Sequence, residues 1–505
     1  MENNAEITKV LGYIEENMRV TEQTSIEYLD PQGNIDRLCL KQNHVIFGRR
    51  GSGKSLLLKS LKGKKEFCCI NVNIEDFKDI SFPDSIIQVQ KSIIKQILPV
   101  VTKKYGKITV SYWVKSRPII SRLKKQIKVL NNQLSNPDEY DEAIKNKKGK
   151  KISGKGKGKT TGCEFETAAE KSEEIEISKE IKIDKLNILR NNLTEIKELF
   201  TDASNLIGSD IFLILDDFYF IRKNEQPYFL DFFHRLSKNT PIYLKVATIK
   251  YRSRLYLQGE SYVGIEIPHD AQVLNLDYSL ENFDTLVSFM KDLLNHINEK
   301  SGVTIRYTSL ITDNAFRFLC LASGGVPRDF FSLLISLRPL LGGKKSISKP
   351  NVIEKAIENL SNKMEAFKTD AADEESILES YLKYIRKTII EGKKWNSFIV
   401  SNTEIQNFPQ INQAIKELLD MRFLHLVNPN ISASNSDGTR YSAYMLDIGL
   451  FPNSNPRNFQ QVEPGQKDSH HRDDKIRSAP KLNLVDFFEH INTLENCPKI
   501  KLSEQ

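Results

Sequence analysis

Gly48-Arg49-Arg50-Gly51-Ser52-Gly53-Lys54-Ser55 satisfies the pattern G-x-x-x-x-G-K-[ST]. Glycines at this spacing let successive backbone N–H groups curl around a phosphate. A helix that starts directly after them aims its positive end at the same charge. Lys54 then reaches the β- and γ-phosphates of a nucleoside triphosphate, and the Ser55 hydroxyl binds Mg²⁺. The flanking sequence supplies the context this chemistry needs, with an apolar segment before the motif and helical spacing over Lys54 to Leu61 after it.

Three further groups suit the same ligand. Asp216-Asp217 close the apolar run Ile211 to Leu215. Carboxylates at the C-terminal end of a buried strand lie at the ligand crevice of an open α/β sheet. There Asp216 suits a Mg²⁺ held through water, and Asp217 suits polarising an attacking water. Lys245 to Arg254 (KVATIKYRSR) puts Thr248, Lys250, Arg252 and Arg254 just past a second apolar strand. A polar or cationic group at that place senses a γ-phosphate or acts across a subunit boundary, a role open to Arg252 or Arg254 in a homo-oligomer. Ser323 to Arg328 (SGGVPR) joins two helices, with Pro327 fitting the first helical turn and Arg328 projecting from it. Each of these three groups also has a purely structural reading: an Asp pair capping a turn, surface arginines after a strand, an arginine in a solvated turn.

The elements that must position these residues are legible as alternating strands and helices. Leu38–Phe47, Phe67–Ile74, Ile211–Asp216, Pro241–Ile249 and Gln272–Leu276 read as strands. Helical patterns cover Phe82 to about Lys104, Pro118 to about Leu134 and Asp184–Asp202. Repeated βα units predict an α/β fold with a doubly wound parallel sheet. The expected organisation is an N-terminal helical segment (1–36), the α/β core (37–279) with a helical, low-complexity insert at about 112–205, a helical lid (280–368), a winged-helix-like unit (369–451) and a mostly flexible tail (452–505) with a helical pattern over Leu484 to Leu494.

Composition bounds the rest. At roughly 150 residues per domain, 505 residues hold about three domains. A hydrophobic share of 39% provides for large cores, which rules out wholesale disorder. No apolar run is long enough to cross a bilayer, and the acids of the first twenty residues do not suit a secretory signal. Six scattered cysteines without CxxC pairs fit a reducing compartment, so a soluble, cytoplasmic protein is expected. Net charge is 73 − 65 = +8, yet Lys145 to Lys159 alone holds eight lysines and no acid. Outside that run the balance is 65 − 65 = 0, which reads as excess basicity confined to one segment. That run suits either a solvated linker or a contact with phosphate backbones.

FGRRGSGKS, LILDD, KVATIKYRS and SGGVPRDFF, in this order and followed by a winged-helix pattern, resemble the AAA+ ATPases of the ORC/CDC6-like and STAND clade. The resemblance spans about residues 36–450 without the insert. It implies Walker A at Lys54 and Ser55, Walker B at Asp216 and Asp217, a sensor 1 region over Thr248 to Arg252, and sensor 2 at Arg328. It further implies ATP and Mg²⁺ as cofactors, a P-loop ATPase activity, and a separate effector or partner protein, as in bacterial defence systems. An Asp-Asp pair in place of the commoner Asp-Glu implies slow hydrolysis or switch-like use of the nucleotide. The alternative is a DNA-binding initiator or loader acting through the winged helix. Against it, the second helix of that unit, Gln410 to Met421, carries one lysine and two acids. No nuclease or protease constellation and no membrane-binding segment is visible.

Overall fold

The computed structural model describes residues 2–19, 24, 26–105, 109–134, 185–259, 262–303, 311–341, 346–371, 375–435, 437–452, 457–465 and 475–493. The Lys/Gly run of 145–159 and the acidic stretch of 164–180 lie outside them.

Helix α1 (Glu2–Asn17) precedes a five-stranded sheet made of β1 (His44–Phe47), β2 (Phe67–Asn73), β3 (Asp210–Asp216), β4 (Ile242–Thr248) and β5 (Gln272–Asn275). The strands run in the order β2-β3-β4-β1-β5, and every pairing is parallel. Side chains alternate between the faces, as the two-residue period of a strand dictates. On β3, Ile211, Leu213 and Leu215 join one apolar cluster while Phe212 and Ile214 join the other. Helix α2 (Lys54–Lys62) covers the second face with Leu57, Leu58 and Leu61. Helices α3 (Asp84–Lys103), α4 (Arg117–Leu134), α5 (Leu193–Ile207) and α6 (Gln226–Ser237) cover the first. Apolar layers on both sides explain why β3 is an unbroken hydrophobic run. This is an α/β P-loop NTPase core.

Two expected boundaries move. The strand expected over Leu38–Phe47 begins only at His44, because Asp30 accepts from the backbone N–H groups of Asn34 and Ile35 at 2.7 Å each and caps a short helix over Asn34–Leu38. The helix expected over Asp184–Asp202 is broken at Asn192 and resumes as α5.

After β5 come α7 (Phe283–Ser301), α8 (Asp313–Ala322), α9 (Pro327–Ser336), α10 (Lys349–Glu358) and α11 (Leu360–Ala371). The C-terminal unit follows: α12 (Glu375–Arg386), β6 (Ser397–Ser401), α13 (Pro409–Asp420), β7 (Leu424–Ser432) and β8 (Arg440–Leu446). Its strands form an antiparallel sheet in the order β6-β8-β7. Helices α7 to α10 and the C-terminal unit share one continuous apolar core, which α1 also joins.

In the tail, the helical pattern over Leu484 to Leu494 forms a helix, and residues 457–465 and 475–493 pack on the C-terminal unit. Helix α14 (Leu484–Asn492) buries Leu484, Phe487 and Ile491, and Phe487 stacks on Tyr384 at 4.4 Å between ring centroids. Leu482 N–H donates to Ile399 O at 2.9 Å, tying the tail to β6.

Candidate functional site

The glycine-rich loop leaves β1 at the C-terminal end of the sheet. Gly48 N–H donates to Thr248 O on β4 at 3.1 Å, which anchors the loop's start. Gly51 and Gly53 have φ of 90° and 96°, a left-handed conformation that a side chain disfavours. The loop is also crowded. A Cβ on Gly48 would fall 2.3 Å from Ser52 Oγ, and one on Gly51 would fall 2.7 Å from Arg328 Cβ.

Lys54 is buried, and its ammonium donates to Gly48 O at 2.8 Å and Arg49 O at 3.3 Å. Burial lowers its pKa, while Asp217 and Asp216 oppose the shift. Ser55 Oγ donates to Asp216 Oδ2 at 2.9 Å, joining α2 to the end of β3. The other Asp216 oxygen accepts from Asp217 N–H at 2.9 Å. Burial first, then the neighbouring Asp217, push the Asp216 carboxyl above the usual carboxylate range. Asp217 takes a left-handed backbone, φ 53°, at the turn after the strand.

Arg328 meets this loop from the lid. Its N–H donates to Gly51 O at 3.3 Å, and burial, followed by the charge of Arg50, lowers its pKa. The geometry therefore brings Lys54, Ser55, Asp216, Asp217 and Arg328 around one loop, although they span 274 positions of sequence from Lys54 to Arg328.

Other residues singled out from the sequence have different surroundings. The Thr248 hydroxyl is fully buried and bonds to Ser253 Oγ. The Arg252 guanidinium lies 5.1 Å from the ring of Tyr219, and Arg254 N–H donates to Gln226 Oε1 at 2.6 Å. The Arg49 side chain donates to Gly324 O at 2.8 Å and Tyr278 O at 3.1 Å and pairs with Asp277 at 3.4 Å, while its backbone N–H donates to Asp277 Oδ1 at 2.9 Å. The side chain ties the loop to the lid, a role nothing in the local pattern announces.

A second set of contacts, not foreseen from the sequence, docks the C-terminal unit here. Tyr251 N–H donates to Asp420 Oδ2 at 2.7 Å, Gln413 donates to Tyr251 O at 3.1 Å, and Lys223 pairs with Glu417 at 2.6 Å. All three place α13 on the core. Burial, then the charge of Asp277, push the Asp420 carboxyl up to about 7, against the pull of the Tyr251 N–H. Arg422 clamps Asp329, and His425 lies against Gly324. Between these elements remains a cavity of about 200 Å³ lined by Arg49, Lys250, Asp277, Glu281, Asp420 and His425 among others.

Among the described residues, no group of three His, Cys, Asp or Glu side chains could hold a metal, and no helix is long and apolar enough to cross a membrane. No protein-family model and no curated protein matches the chain. It is similar to the solved structure of a Walker-type ATPase of Pyrococcus abyssi, at 12% identity and TM-score 0.41, with 86% of this chain and 98% of that one covered. It is also similar to the ORC1 protein of Aeropyrum pernix, solved in complex with DNA, at 12% identity and TM-score 0.30, with 88% and 90% covered.

Proposed function

We infer that the chain is an ATP-binding molecular switch with slow, Mg²⁺-dependent hydrolysis that regulates a partner protein. The observation that carries this reading is the Ser55–Asp216 contact beside buried Lys54, at the end of the parallel sheet. The loop fits a phosphate chain. Ser52 Oγ is buried with no hydrogen-bond partner among the described residues, and neither Gly48 nor Gly51 has room for a side chain. The Ser55 hydroxyl and the Asp216 carboxylate form an oxygen donor set suited to Mg²⁺. When bound, the cation neutralises charge on the β- and γ-phosphates.

Each residue then has a role. Backbone N–H groups from Gly51 to Ser55 and the N-terminus of α2 bind phosphate oxygens. Lys54 exchanges its two carbonyl partners for a phosphate. Ser55 and Asp216 would hold the cation in place of their mutual hydrogen bond. Asp217 orients the attacking water, and Arg328 carries the state of the site to the lid. Arg252 and Arg254 remain candidates for action across a subunit boundary. Movement of the loop would pass to the lid through Arg49, and from the lid to the C-terminal unit through the Asp329–Arg422 pair.

The docking of α13 on the core favours this regulatory reading over a DNA initiator that reads sequence through α13. Three side chains of that helix, Gln413, Glu417 and Asp420, already face Tyr251 and Lys223.

The test is ATP affinity of Lys54→Ala by calorimetry. Loss of its charge-assisted bonds costs about 2–3 kcal/mol, roughly 30- to 150-fold in affinity. Unchanged affinity rejects the site.

A further inference from the structure

From Ser85 to Pro137 the sequence holds eleven lysines and arginines and no acid at all. The zero balance outside residues 145–159 therefore conceals a second basic region, and the expectation of a single basic segment is corrected. Its described residues include α3 and α4. The apolar side of α4, Ile120, Leu123 and Leu130, is used up in the core shared with α3 and α5. Its other side is exposed and carries Arg117, Lys124, Lys125 and Lys128, with Lys115 just before it. Lys115, Lys124, Lys125 and Lys128 have no carboxylate partner among the described residues. Arg122, by contrast, is paired with Asp202 at 2.5 Å.

At the head of this row stands an exposed aromatic. Trp113 is 52% exposed, and the Arg117 guanidinium lies 4.2 Å over its ring. Thirteen steps from Lys115 to Lys128 at about 1.5 Å each make a row about 20 Å long. Duplex DNA presents about twelve phosphate charges over that length. A flat indole backed by an arginine is a platform on which an unpaired base stacks.

We propose that the outer face of α4, from Trp113 to Lys128, is a docking surface for the phosphodiester backbone of a nucleic acid. Unpaired ammonium groups repel one another, and a polyanion relieves that repulsion while releasing its condensed counterions. A lipid surface fits less well. An interfacial helix inserts its apolar side, and here that side is buried in the core. The surface is separate from the nucleotide loop, so the inference stands or falls independently of Lys54.

The experiment uses the full chain and a fluorescein-labelled oligonucleotide of about 30 nucleotides, single-stranded or duplex, with anisotropy read from ~50 to ~200 mM NaCl. The variant Lys115→Gln/Lys124→Gln/Lys128→Gln, with Lys125→Gln, should bind at least about tenfold more weakly at low salt. Its slope of log K against log salt should flatten by about 3. The matching Lys→Arg variant should retain both, and matching far-UV circular dichroism excludes misfolding. In a Trp395→Phe background Trp113 is the sole tryptophan, so quenching by the single strand identifies unpaired bases as the source and quenching-free binding identifies duplex backbone. Equal affinity and slope in wild type and the glutamine variant overturn the proposal. So does loss of binding only on deletion of 145–159, or binding to phosphatidylserine vesicles with none to either oligonucleotide.

Discussion

One nitrogen of Arg422 donates to both carboxylate oxygens of Asp329, each at 2.7 Å, and Asp329 is the chain neighbour of Arg328. The residue that touches the glycine loop from the lid is thus adjacent to the clamp on the C-terminal unit. Both side chains of the clamp are mostly buried, at 14% and 16% exposure, so the pair is worth more than a surface salt bridge. Arg422→Ala should cost about 1–3 kcal/mol and leave Asp329 without its partner. Limited proteolysis should then cut faster between β5 and α7, and a double-mutant cycle with Asp329→Ala should return a coupling of about 1–2 kcal/mol.

Asp216→Asn preserves the shape that accepts from Ser55 but removes the charge that a divalent cation needs. Mg²⁺-dependent ATP hydrolysis should fall about 100-fold or more, the equivalent of ~3 kcal/mol of transition-state stabilisation. Steady-state phosphate release measures it. Hydrolysis at the wild-type rate would place the metal elsewhere.

The docked Asp420 has its pKa raised to about 7, against 3.8 for an ordinary aspartate, because burial disfavours the charged form. A raised carboxyl pKa means the docked form binds the proton more tightly than the released form. Docking therefore has its full proton-linked stability below about 4 and loses it as pH rises through about 7. Undocking of α13 should become easier across that window, as read by hydrogen exchange at the Tyr251 amide. Asp420→Asn should make exchange in α13 nearly independent of pH between 4 and 7, apart from the intrinsic chemical rate.

Phe487 sits fully buried on α14, against Tyr381 and Tyr384. Phe487→Ala should destabilise the C-terminal unit by about 3–5 kcal/mol through lost burial and the cavity left behind. Thermal unfolding of this unit should shift downward, whereas ATP affinity should change little. Truncation before residue 475 should reproduce the loss.

The glycine loop, Asp216 and Arg328 were legible because each is written in a short pattern with fixed local geometry. The alternation of buried strands around them was legible for the same reason, since Ile211 to Leu215 can only suit a sheet covered twice. Arg49 was not, because its partners Tyr278 and Gly324 lie more than 200 positions away and its own place in the motif accepts any residue. Of the tail only the helix at its end was legible, because a few apolar residues, Ile476, Leu482, Leu484 and Phe487, do the packing among many polar ones. The basic region from Ser85 to Pro137 hid behind a sum, since charges were balanced over the chain rather than along it. His44 shows the limit on boundaries, where a carboxylate at Asp30 decided the competition between helix and strand.

Helices α7 to α10 and the C-terminal unit are built around one unbroken hydrophobic mass. With no break in that core, α7 to α10 and the C-terminal unit can shift only together, and the contacts of α13 with Tyr251 and Lys223 would have to yield first.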